Sequence, residues 1–183
     1  MMNSSTIAGI AAAILVAGIL IATPFARAFP SWALVDSATA SELNGSVSSL
    51  SLDAAGDIPR KTDTSPDAVV GFAFVEISTL EVIVATIHPT FDDSAQNPFS
   101  WHLHAAQLGT GTASSDLCIV SFFPNPTGGI QIQGDTMTIN VANSQMPMAT
   151  DDLTHAVGFV VNPDAGCPAL LGVDLNQGPV PLS

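Results

Sequence analysis

Four histidines, His88, His102, His104 and His155, are the residues of this chain whose type and spacing point most directly to chemistry. His102 and His104 form an H-x-H pair. On a strand, whose side chains alternate with a period of two, both imidazoles leave by the same face with backbones about 6–7 Å apart. That is close enough to share one ion, and neutral imidazole nitrogen suits copper or zinc. His88 closes the preceding apolar run and His155 lies in a later one, so a sheet can bring either or both beside the pair, with Asp92 and Asp93 as oxygen donors. The competing reading is four surface histidines in ordinary hydrogen bonds. Met146 and Met148 flank Pro147 and add two thioethers suited to Cu(I). Their alternative role is core or rim packing.

Other chemistries find less support. A blue-copper centre needs a thiolate followed closely by His and Met, and Cys118 is followed by Ile-Val-Ser-Phe-Phe-Pro. No G-x-S-x-G elbow is present for a serine hydrolase. The acidic pairs Asp92-Asp93 and Asp151-Asp152 lack the spacing of a calcium loop, so solvated loop charges with weak divalent-cation binding describe them better. Trp101 shares its strand face with Phe99 and Leu103 and reads as core.

The elements that must position these residues are strands. Residues 68–77 are apolar on both parities, as expected of a strand covered on both faces, and residues 80–88 form a β-branched run after a short Ser78-Thr79 turn. Residues 99–105 alternate cleanly, with Phe99, Trp101 and Leu103 on one face and Ser100, His102 and His104 on the other. Further strands are expected over 117–123, 129–133, 136–142, 153–161 and 169–175, separated by turns such as Gly134-Asp135, and a loose first strand carries Val47, Leu50 and Leu52. Short strands at regular spacing predict an all-β, antiparallel Ig-like or Greek-key β-sandwich, with a closed barrel as the alternative.

Export frames this domain. Residues 7–22 are uncharged and apolar, and Ala26-x-Ala28 after Pro24 matches a signal-peptidase site, so residues 1–28 read as an N-terminal signal peptide or membrane anchor helix. Residues 29–43 read as a linker with one short helical turn, and 44–183 as the domain. Its size is that of one core of about 150 residues. Cys118 and Cys167 are an even pair in an exported chain, and a disulfide between them is expected. Asn44-Gly45-Ser46 is a glycosylation sequon. Three basic residues against sixteen acidic ones give a net charge of −13, which excludes nucleic acid as a partner and favours cations over anions.

The stretch from Phe99 to Ala105, preceded by a β-branched strand and followed by a Gly-containing loop and an apolar strand, resembles the HxH strand of the chordin-type (CHRD) domain. It is also similar to the F-H-x-H strand of copper/zinc superoxide dismutases. The layout covers about residues 68–175, its specific part under ten residues. The resemblance implies an Ig-like or Greek-key sandwich, and in the dismutase case His102 and His104 as copper ligands. Zinc-loop histidines are missing, no Arg follows Arg60, and the net charge repels superoxide. The reading is therefore an exported, non-enzymatic binding or structural module, secreted or held on the outer face of the membrane, with self-association through edge strands. The alternative is an extracytoplasmic copper- or zinc-binding protein built on His102 and His104.

Overall fold

The computed structural model describes residues 29–43, 46–61, 69–88, 100–141 and 153–183. It is all-β and antiparallel. After a short 3-10 turn, Ser31–Ala33, the strands are β1 (Val35–Leu43), β2 (Ser46–Ala54), β3 (Val69–Glu76), β4 (Glu81–Ile87), β5 (His102–Thr110), β6 (Leu117–Phe122), β7 (Gly128–Gln133), β8 (Thr136–Val141), β9 (His155–Pro163), β10 (Leu171–Leu175) and β11 (Val180–Pro181). Among the described residues no helix is long and apolar enough to cross a membrane. The expected leader, with its anchor segment 7–22 and cleavage residues Ala26 and Ala28, lies outside the described residues, as do Asn44, Asp92, Asp93, Met146 and Met148.

Two sheets share the chain. The smaller has the order β1-β2-β8-β7, and the larger runs β10-β6-β5-β4-β3-β9-β11. The larger sheet closes on itself, because β10 pairs with β6 on one side and with β9 on the other. Six strands thus form a barrel, the alternative anticipated from the strand spacing, and the four-stranded sheet lies on its outside. One sequence expectation needs correcting: Val35–Leu43 is no linker but a full strand paired with β2 from Val35↔Ala54 to Leu43↔Ser46. Its Ser, Ala and Thr residues hid it, because short polar side chains on an outer sheet give little hydrophobic alternation.

Strands β3, β4 and β5 serve two cores. Phe72, Phe74, Ile83, Ala85, Leu103 and Ala105 pack with Leu50, Leu52, Met137 and Ile139 of the smaller sheet. The alternate residues Ala73, Val75, Val82, Val84, Ala106 and Leu108 face into the barrel with Ile119, Val157, Phe159 and Val173. This is the two-sided burial that the unbroken apolar run of β3 predicts. Phe72 and Phe74 are fully buried, and each contributes roughly 2–3 kcal/mol of transfer free energy. Trp101 belongs to the intersheet core as expected: its ring stacks with Phe72 at 5.9 Å, and its indole N–H donates to the Pro59 carbonyl at 2.6 Å.

Local chemistry fixes the connections. Gly134, at φ 64°, opens the two-residue turn between β7 and β8 and takes a conformation that glycine adopts freely. Between β3 and β4, the Glu76 carboxylate accepts from the Ser78 backbone N–H at 2.9 Å, the Ser78 hydroxyl at 2.9 Å and the Thr79 backbone N–H. Thr79 foremost, then Ser78, stabilises the ionised form and holds its pKa down at about 2.

The Cys118–Cys167 disulfide is present, with an S–S distance of 2.05 Å and a sequence separation of 49. It ties the start of β6 to the loop before β10, the strand that closes the barrel. Reduction in urea titrations should lower stability by about 4 kcal/mol from loop entropy; an unchanged midpoint would show that barrel closure does not depend on it. Gly158 provides a second test. A Cβ there would lie 1.7 Å from the Ala33 carbonyl oxygen, so the 3-10 turn sits directly on β9. Gly158→Ala should cost at least about 1–3 kcal/mol in the same titration.

Candidate metal centre

Strand pairing assembles the histidines. The β4–β5 register sets Thr86 opposite His102 and Val84 opposite His104. His88 follows the end of β4 on the same parity as Val84 and Thr86, so it reaches the same face as the H-x-H pair. His88 is buried at 2% exposure, while His102 and His104 are half-buried. The ring centroids are 4.4 Å apart for His88 and His102, 4.8 Å for His102 and His104, and 5.7 Å for His88 and His104.

The nitrogens converge more closely than the rings. His88 Nε2 is 2.7 Å from His102 Nε2 and 3.5 Å from His104 Nε2, and one ligand atom from each of the three lies within 4.8 Å of the others. A tetrahedral ion with bonds of about 2.0–2.1 Å keeps its nitrogens about 3.3 Å apart, so binding one would open the 2.7 Å pair and draw any separation near 4.8 Å inward by small ring movements.

Partners on the far side of the rings select the tautomers. His102 Nδ1 lies 3.0 Å from the Ser100 carbonyl, which only accepts, so the Nδ1 carries the proton and donates. His104 Nδ1 donates likewise to Asn125 Oδ1 at 3.2 Å. In the neutral rings this leaves the Nε2 atoms of His102 and His104 as lone pairs aimed at the trio. His88 Nε2 can offer a proton to one of them only. Three imidazole nitrogens facing one another in this way can share a metal ion, and carbonyl partners behind ligating imidazoles are the usual means of orienting them.

The trio sits between two spaces. His88 and His104 line the barrel lumen, whereas His102 lines an outer cleft with Arg60, Ser100 and Trp101. His155 is not part of it. That residue pairs with Val75, near the opposite end of β3 from Val70↔Ile87, and its Nδ1 lies 2.9 Å from the Thr154 hydroxyl. His155 as a partner of the pair gives way to strand register: β9 enters beside the wrong end of β3. Asn125 and Ser100 were not anticipated. Asn125 lies in a Pro-flanked loop with no periodicity to orient it, and Ser100 acts through its backbone. Arg60 in the cleft was not anticipated either, because its contact with the Ile132 carbonyl depends on the long-range order of β2, β8 and β7 in the smaller sheet.

Long-range proton–nitrogen correlation spectra at alkaline pH should report His102 and His104 as Nδ1–H tautomers; an Nε2–H signal from His102 would contradict the assignment. No protein-family model, curated protein or solved structure matches this chain.

Proposed function

We propose that this chain is an exported copper- or zinc-binding protein whose ion is held by His88, His102 and His104. One observation carries the reading: His88 Nε2 lies within 3.5 Å of the Nε2 atoms of both His102 and His104, whose Nδ1 atoms are held by acceptors. An all-imidazole donor set favours these borderline metals over calcium or magnesium, which prefer oxygen. The net charge of −13 supports cation capture at long range. Three protein ligands leave a coordination position for water or a small donor.

Export is supported by the apolar leader sequence and by the disulfide, which persists in oxidising compartments. In this reading the domain is related in layout to the Greek-key sandwiches of the chordin-type and dismutase-like families, with β5 as the HxH strand. The β3-β4-β5-β6 meander, with β9 returning beside β3, supports that view. Binding rather than catalysis is the role assigned to the ion.

Elemental analysis of protein purified without chelator should find stoichiometric copper or zinc, and added metal should raise the thermal midpoint of the stripped protein. His88→Ala, His102→Ala and His104→Ala should each weaken binding at least tenfold, while His155→Ala leaves it unchanged. Asn125→Ala, which removes only the acceptor behind His104, should weaken binding by about 10–100-fold. A metal-free protein whose midpoint ignores both ions would overturn the reading, and so would metal retained after all three histidines are replaced.

A further inference from the structure

The barrel interior is a second candidate site, and it stands independently of the metal. Its cavity measures about 520 Å³, within the roughly 300–1,000 Å³ of small-molecule sites. The cavity exists because the inward positions carry short side chains. Ala73, Val75, Val82, Val84 and Ala106 stop short of the axis, where longer residues would fill a barrel of this strand number. At protein packing density it accommodates roughly 20–25 non-hydrogen atoms.

Polarity is confined to one part of this space. Among the described residues that line it, the polar side chains are Thr86, His88, His104 and Asn125, and none of these described residues is an acid, a lysine or an arginine. Thr86 and His88 sit at the β4 end, whereas Ile77 and Leu80 line the cavity at the β3–β4 turn. Thr86 is only 3% exposed, and its buried hydroxyl has no hydrogen-bond partner among the described residues. Leaving such a group unsatisfied costs about 1–3 kcal/mol, so its place on a cavity wall points to a polar atom of a ligand. Ile77 and Phe122 line the same cavity and are also among the large apolar side chains most exposed to water, at 44% and 55%.

We infer that the lumen binds an uncharged amphiphile of this size, a medium-length apolar body carrying one hydroxyl or carbonyl that meets Thr86. An ionised head is disfavoured, because no charged side chain among the described lining residues offsets its desolvation. The negative field of the protein further disfavours a carboxylate.

Fluorescence titration of the metal-stripped chain with N-phenyl-1-naphthylamine, an uncharged probe small enough for this space, should show saturable one-to-one binding that 1-dodecanol displaces better than dodecanoate. Ala106→Phe fills the lumen and should weaken probe binding at least tenfold at unchanged circular dichroism; Ala73→Leu serves the same purpose if the first variant does not fold. Thr86→Val should weaken 1-dodecanol several-fold and leave the probe unaffected. His155→Ala, which lies away from both the lumen and the trio, should not alter probe binding, and metal content is measured on every variant, so loss of the metal site and loss of this one are read separately. Absence of saturable binding by the folded chain, probe binding undiminished in a folded filling variant, or preference for dodecanoate would each overturn the inference.

Discussion

Strands β3 and β4 are buried on both faces, β5 beside them nearly so, and that constraint governs the molecule. Phe72, Phe74, Ile83 and Leu103 must point to the smaller sheet, while Ala73, Val82, Val84 and Ala106 must point into the barrel. A one-residue slip would exchange the two sets. Two phenylalanine rings would then enter a lumen built for alanine and valine, and the His104 imidazole would enter a dry core dominated by aliphatic and aromatic side chains. Register is therefore specified by both cores together, and the histidines inherit their shared face from it.

The two cores divide side-chain volume unequally. Aromatic rings, Met137 and Ile139 fill the layer between the sheets, where Trp32, Phe72 and Trp101 meet with centroids 5.9 Å apart. The barrel interior receives mostly valine and alanine. Most of the large-residue packing stabilisation can come from the intersheet layer, which leaves the barrel free to enclose space without forfeiting the fold. The hydrophobic effect does not distinguish between the two faces, but close packing does, since an unfilled volume loses dispersion contacts on its walls. A cavity is tolerable where the surrounding wall is a closed hydrogen-bonded ladder reinforced by a disulfide at its closing strand.

Much of this was readable from residue alternation, and what was not has physical causes. The two-sided burial of β3, the same-face placement of His102 and His104, the packing role of Trp101 and the Cys118–Cys167 bridge all follow from a period of two or from cysteine parity. Strand β1 escaped notice because Ser37, Thr39 and Ser41 resemble a connector as much as an outer strand. Choosing between His88 and His155 required knowing which end of β3 each partner strand meets, and pairing register is a long-range property. The lumen could not be read at all. Valine and alanine at alternate positions announce a buried face, yet whether that face closes around space depends on β10 finding both β6 and β9.

The division of polarity around the histidines also bears on how an ion would be accommodated. Three neutral imidazoles leave a divalent ion with its full charge, which a wall of valines cannot solvate. His102 opens instead to the cleft shared with Arg60, Ser100 and Thr127, where water and hydrogen-bonding groups are at hand. The side with access to water is therefore the electrostatically favourable place for an additional donor, while the lumen side can remain dry. Acidic residues elsewhere lower the cost of the retained charge only at long range, and salt screens that contribution within about 8–10 Å. Charge is thus handled on the outer side of the trio and apolar volume on the inner side, so the same three rings can border a metal centre and a hydrophobic chamber without either imposing its solvent on the other.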